Sequence, residues 1–413
     1  MRKEEISVLR ELAKEYMEIA TLPIQREKME MWKAFNRHEA VRPMVLIDQL
    51  PWHELNYDGS LTCVTEDPMF KNIEFFLRST MYKWKHFPVD MVVEPMLKIP
   101  YAVSNTGYGV SIAEETLSTD KENTVVSHQF TNQFLEEEDI DKIQDMKITL
   151  NKEKSKQRLE QAQEVFDGII PLRQAGNDLF HLGIWEHITM WMGVNDVYFD
   201  LIDRPEFIHK ILEKMTHSAL EGIRQSNELG IVDTSSNICH CSVTYNDELL
   251  PDFGAGKEAH TKNAWNFGLA QLFTSVSPEI TKEFEVPYVS QLASQYGMVY
   301  YGCCDRLDDR LDIVQKIPNV KKISCSPWSD REAFAEKLNK DIIMSNKPTP
   351  AFLAKEQMNI DEIAKDLKRT CAAAKNNGKT LEFILKDLST VCYQPNRLTE
   401  WADCAMNIVK GME

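Results

Sequence analysis

Two cysteines and a carboxylate stand together where an apolar run stops: Met298-Val299-Tyr300 leads into Tyr301-Gly302-Cys303-Cys304-Asp305. A thiolate placed there can act as a nucleophile or ligate zinc, with Asp305 as acid, base or orienting group. Adjacent side chains at a strand end point to opposite sides, so at most one of the two thiols readily faces a pocket. A second concentration of metal-capable atoms is Cys239-His240-Cys241. It lacks the Cys-x-x-Cys spacing of a structural zinc site, but His240 with Cys303 or Cys304 would complete a catalytic one, which keeps an open position. Other polar groups that directly follow apolar runs are Asp48 and His53, Glu94, His181 and Glu186, Gln271, Ser324, Ser345 and Lys347, and Lys386-Asp387. Asp48 and Glu94 are candidates for a carboxylate pair that moves protons, and Lys386 for an anion or substrate contact. Trp52 and Trp328 fall close to strand ends, where they would line an aromatic pocket or pack in the core. Each group also has a plain structural reading: a small buried cysteine, an aspartate at a helix start, a lysine in an ion pair.

The elements that must hold these groups in place repeat along the chain. Apolar runs at 44–48, 90–94, 179–184, 265–273, 298–302, 320–325, 341–345 and 381–386 read as strands buried on both faces, and amphipathic stretches such as 67–86 and the one beginning at Pro205 separate them. An extra apolar stretch, 231–241, competes with these eight. Eight strands alternating with helices predict a (β/α)8 TIM barrel, whose catalytic groups lie just past the C-terminal strand ends. The reading is one domain over 1–413, with an N-terminal helical extension at 1–40, a hairpin-like insertion at 101–166 and a long loop at 231–264. The acidic run Glu136–Asp139 reads as a helix cap or a solvated face.

Composition narrows the function classes. The chain has 413 residues, 43% hydrophobic, and a formal charge of −17 from 64 acidic and 47 basic residues. That field repels phosphate backbones, so nucleic acid is excluded as a partner. No run approaches 18 consecutive apolar residues, so no membrane-spanning helix is expected. Nine scattered cysteines and a charged N-terminus, Met1-Arg2-Lys3-Glu4-Glu5, predict reduced thiols in the cytoplasm. There is no Gly-x-Gly-x-x-Gly, P-loop or Gly-x-Ser-x-Gly pattern, and Tyr108-Gly109-Val110-Ser111 in the insertion carries no such signal.

Four segments together resemble the uroporphyrinogen decarboxylase superfamily: Gln271–Glu279 with Phe284–Tyr288, Tyr300–Asp305, Ile317–Asp330, and Glu382–Thr390. The Gly-Cys-Cys-Asp and Ser-Pro-Trp-Ser-Asp pieces look like a branch found mainly in anaerobic bacteria. The resemblance implies a (β/α)8 barrel with its active site at the C-terminal mouth, commonly as a homodimer. True porphyrinogen decarboxylases carry an arginine-rich loop for the substrate carboxylates, whereas Asp48–Leu55 here contains no arginine. Thiol-methylating members hold zinc by a His-x-Cys pair and a last-strand cysteine. Cys303 matches the first cysteine, Tyr301 stands at the histidine position, and Lys386 or Asp387 occupies the region of the last cysteine. What remains resembles corrinoid-dependent methyltransferases of the O-demethylase type. It implies methyl transfer from a small methylated compound, methoxyaromatics among the candidates, to a corrinoid (cobalamin) carried by a partner protein. Asp305, Glu94, Lys386, Asp48 or a zinc on His240, Cys303 and Cys304 would supply the acid. His53, Trp52, Gln271, Tyr301, Trp328 and Asp387 would line the substrate site. A decarboxylase or lyase on the same scaffold, or a non-catalytic binding subunit, are the alternatives.

Overall fold

The computed structural model describes the chain except residues 40–41, 119–125, 177–180, 235–236, 250–259 and 413. Eight short parallel strands form: β1 (Met44–Ile47), β2 (Leu97–Pro100), β3 (Leu172–Ala175), β4 (Trp265–Gly268), β5 (Met298–Tyr301), β6 (Val320–Cys325), β7 (Ile343–Asn346) and β8 (Leu381–Leu385); six coincide with the apolar runs, whereas β2 and β3 lie outside the runs read as strands. Six of them make one all-parallel sheet in the order β1-β8-β7-β6-β5-β4. β2 and β3 pair with each other in a separate parallel sheet. The architecture is thus α/β with a six-stranded parallel sheet, and strand pairing does not close into a continuous ring of eight among the described residues. Single backbone bonds meet the two sheet edges: Asp90 donates to Val45 O beside β1 (3.1 Å), and Leu182 to Phe267 O beside β4 (2.8 Å).

Three of the expected strands differ. Residues 90–94 are not a strand, because turns and side chains satisfy their backbone instead of a ladder: Met91 N donates to Pro88 O, and Asp90 O and Glu94 O accept from Trp32 Nε1 and Tyr16 OH. Asp90 is buried against the Arg42 guanidinium (2.7 Å) and accepts from Val45 N, while Val93 N donates to Gln25 Oε1. Pro95 ends that run, and the ladder begins at Leu97. The run at 265–273 splits into β4 and a 3-10 helix, Gln271–Ser275. The stretch at 179–184 lies partly outside the described residues, and its described part runs into helix Ile184–Met192. At the N-terminus, Pro23 lacks the N–H that a continuous helix needs. The extension therefore forms two helices, Lys3–Ala20 and Pro23–Asn36.

Alternation along each strand separates two packing layers. Val45, Ile47, Met344, Phe383 and Leu385 join the large core beneath the outer helices. Met44, Leu46, Ile343 and Ile384 face the other way and pack with Trp32 and Phe35 of helix Pro23–Asn36 and with Cys241 and Val243. The loop at 231–264 thus sends a hairpin, Ile238–Cys239 paired with Ser242–Val243, against the inner face of the sheet. The insertion is built of two antiparallel pairs, Val103–Asn105 with Ile148–Leu150 and Glu114–Leu117 with Ser127–Phe130. In the acidic run, Asp139 accepts from Leu135 N and Glu136 N and starts the short helix Glu137–Lys142. No helix among the described residues is long and apolar enough to cross a membrane.

Candidate active site

β5 ends in a turn that only glycine can make. Gly302 has φ +90°, and a Cβ there would meet Leu307 Cδ1 at 2.6 Å. The turn is pinned from both sides of Cys303: its N–H donates to Asp305 Oδ1 (2.6 Å), and its carbonyl accepts from Ser324 Oγ at 2.6 Å. On the last strand, Glu382, Ile384 and Lys386 follow one another on the inner face, two residues apart. Lys386 Nζ therefore reaches across the strand ends to Cys303 Sγ at 3.0 Å. It also lies 3.3 Å from His240 Nε2 and 3.3 Å from Asp387 Oδ2. Cys304 Sγ is 3.7 Å from Cys303 Sγ and donates to Asp387 Oδ2 at 3.1 Å. His240 and Asp387 both hold left-handed backbone conformations, with φ of +58° and +57°. Such strain costs on the order of 1–3 kcal/mol per residue and persists where the surroundings enforce it.

The cluster separates charge. Cys303 is held down to about 3 by the hydrogen bond from Cys304, then by His240 and Lys386, against the opposing effect of burial. The proton remains on Cys304, which moves in the opposite direction for the same bond. Burial works against a charged His240, yet the Cys241 and Cys303 thiolates overcome it and raise the imidazole to about 9. Lys386 is raised in the same way by the two thiolates. The centre thus favours two thiolates, on Cys241 and Cys303, beside an imidazolium and an ammonium, as in other histidine-paired cysteine sites.

Beneath this layer lies a set of buried carboxyls. Tyr301 points to the outer face, opposite Tyr300, and its hydroxyl donates to Glu285 Oε1 at 3.0 Å. Burial, with Asp305 and Glu186 nearby, pushes Glu285 up to about 8. Burial also takes Asp305 up to about 6, with the Cys303 thiolate adding to it.

The other expected site residues are distributed over the molecule. Asp48 pairs with Lys83 (3.5 Å) and Glu94 accepts from Tyr245 OH (2.9 Å). Both line a cavity of about 610 Å3, which Cys241 also lines. Trp52 packs edge-on against Phe75 and Tyr82, and His53 against Tyr393. Gln271 N donates to Glu186 Oε1 at 3.4 Å. Trp328 is 72% exposed. The residues brought together are therefore His240, Cys303, Cys304, Asp305, Lys386 and Asp387.

One part of the site was not foreseen. Helix Ile184–Met192, the insertion around Tyr108 and strand β4 enclose a cavity of about 550 Å3, with His240 in its wall. His187, His181, Phe267 and His240 form a ladder of rings with successive centroid distances of 6.1, 5.1 and 4.7 Å, each pair stacked. His181 is among the polar groups that follow apolar runs, His187 is not singled out by the sequence, and nothing in the sequence places Tyr108 opposite them.

The donor types suit zinc: Cys303, Cys304 and Asp387 offer atoms all within 4.8 Å of one another, with His240 close by. Their arrangement does not. The Lys386 ammonium already lies 3.0–3.3 Å from Cys303, His240 and Asp387, where a zinc 2.3 Å from the thiolate would have to sit beside a second cation. No step is derived through zinc.

No protein-family model and no curated protein matches the chain. Among solved structures it is similar to a methyltransferase from Methanosarcina mazei, with a TM-score of 0.52 and 10% sequence identity, over 92% of this chain and 98% of that one. The likeness is one of fold.

Proposed function

We propose that the chain is a methyltransferase of the uroporphyrinogen decarboxylase superfamily, moving a methyl group from a small methylated, methoxyaromatic compound to a corrinoid protein. The observation that carries the reading is His240: one ring belongs both to the Cys303–Lys386 charge cluster and to the wall of a ring-lined cavity. The fold likeness to a methyltransferase and the resemblance of Tyr300–Asp305 and Ile317–Asp330 to corrinoid-linked members support it.

An aryl ether oxygen is a poor leaving group until it is protonated or hydrogen-bonded as its bond to carbon breaks. His240, kept protonated by the thiolates, is a charged donor in the cavity wall. The C–O electron pair goes to oxygen, the proton follows from the imidazolium, and a phenol leaves. The partner's corrinoid supplies Co(I), a two-electron nucleophile that accepts the methyl group in line with the breaking bond. Cys303 and Cys241 act as the counter-charges that raise His240, Lys386 holds Cys303 as the thiolate, and Asp305 positions Cys303 through its backbone.

The test is to mix the protein with a reduced corrinoid protein and a panel of methoxyarenes and follow corrinoid absorbance. Alkylation with stoichiometric phenol is expected, falling at least 100-fold in His240→Phe. Release of CO2 from carboxylated substrates without any corrinoid would instead favour a decarboxylase, and no turnover of either kind a binding subunit.

A further inference from the structure

The cavity between the insertion and helix Ile184–Met192 is lined, among the described residues, by no aspartate, glutamate, lysine or arginine. Its polar groups are amides, hydroxyls, indole N–H groups, a thiol and three imidazoles. Burial pushes His181 down to about 4 and lowers His187 as well, so both are neutral at neutral pH. The charge in the wall is the positive one on His240. Around it the surfaces are flat. Tyr108 meets His187 and Trp191 edge-on at 5.1 and 5.7 Å, and Phe267 lies between His181 and His240. Trp265 lines the same space, and its buried Nε1 has no acceptor among the described residues.

We infer that this cavity binds a planar aromatic ring that is neutral or anionic, and that it discriminates against methylated ammonium compounds. Aromatic walls alone would serve either ligand, because ring faces also attract quaternary cations. The choice is made by what accompanies them. A cation would enter a wall that has no carboxylate among the described residues to balance it and an imidazolium to repel it. A ring carrying an oxygen or a carboxylate would stack in the slot, accept from His240 and satisfy Trp265 Nε1, which otherwise forfeits a hydrogen bond. A volume of about 550 Å3 suits a single substituted ring. The inference rests on the methyl-transfer reading only in taking this ring as the methyl donor, since binding is measured without any corrinoid.

The test is equilibrium dialysis of the full chain with three probes sharing one ring: methoxybenzene, 3-methoxybenzoate and phenyltrimethylammonium. At least one methoxyarene is expected to bind at least tenfold more tightly than the ammonium compound. Ile112 lines the cavity from the exposed side of the insertion, so Ile112→Trp fills the space without disturbing the core. It and Phe267→Leu should each weaken methoxyarene binding at least tenfold. Equal or tighter binding of the ammonium probe, no binding of either methoxyarene, or binding indifferent to both substitutions overturns the inference. Ring binding without methyl transfer would sink the proposed reaction and leave this site standing. Methyl transfer indifferent to Ile112→Trp would do the reverse.

Discussion

Cys303 draws its acidity from residues 63 to 83 positions away, His240 and Lys386, together with its neighbour Cys304. Removing one of these cations has a readable effect. In Lys386→Met the thiolate loses its 3.0 Å partner, so the pH midpoint of Cys303 alkylation by iodoacetamide should rise by at least 1 pH unit. An unchanged midpoint would show that the ammonium does not contact the sulfur. Because that ammonium stands among the donors, dialysis against a chelator should leave both the alkylation profile and turnover unaltered, whereas loss of activity restored by zinc would overturn this account of the cluster. Glu285 gives a pH signature of the opposite kind. Its folded value, about 8, lies above that of an unfolded glutamate, so the folded state binds the extra proton. Its contribution is present below about pH 4.5 and is lost as pH rises through about 8. Glu285→Gln should flatten the decline in unfolding free energy over that window, as followed by urea titration at several pH values. The sequence made Cys303, Lys386 and His240 legible as chemistry because each follows an apolar run or sits among thiols. It did not reveal Glu285, or that Tyr301 faces outward to meet it, because both depend on strand parity fixed by the register of β5.

At the level of elements, the hairpin at 238–243 is held to the sheet by a buried charge pair. Lys322 of β6 and Glu382 of β8 meet at 3.0 Å with neither side chain exposed, and both bond Ser242 Oγ. Lys322 Nζ also donates to Val243 O, and it lies 5.3 Å from the Phe35 ring centroid. Burying both charges costs desolvation, so the pair's net stabilisation is small, but leaving one without the other is costly. Lys322→Met should destabilise the protein by about 3–5 kcal/mol. The double variant Lys322→Met with Glu382→Leu should recover most of that in denaturant titrations, yet remain impaired in turnover because His240 loses its anchorage. A double variant no more stable than the single one would contradict this role for the pair. Most strands were legible as apolar runs. The exception at 90–94 has a physical cause: turns and side chains satisfy the backbone there, and Pro95 has no N–H to give a ladder. Lys322 lies inside a run read as a buried strand, and the partners of its charge come from the hairpin and from β8.

For the whole molecule, eight short parallel strands in sheets of six and two, joined by crossover helices, collect residues 240, 303 and 386 at one set of strand ends. The α/β alternation and the meeting of residues 240, 303 and 386 were therefore accessible from apolar runs and from the polar groups that follow them. The ring-lined cavity was not, because the insertion, helix Ile184–Met192 and β4 meet only in three dimensions. The central claim concerns where a methyl group goes, so a labelled single turnover tests it most directly. The protein is mixed with stoichiometric reduced corrinoid protein and a methoxyarene bearing a 13C methyl, and the products are followed by NMR. The account predicts that the label leaves the arene for the corrinoid protein with one equivalent of phenol formed, and that His240→Phe abolishes both. Label that stays on the arene across a broad panel of methoxyarenes, while the corrinoid protein remains competent with its own partner, would contradict it.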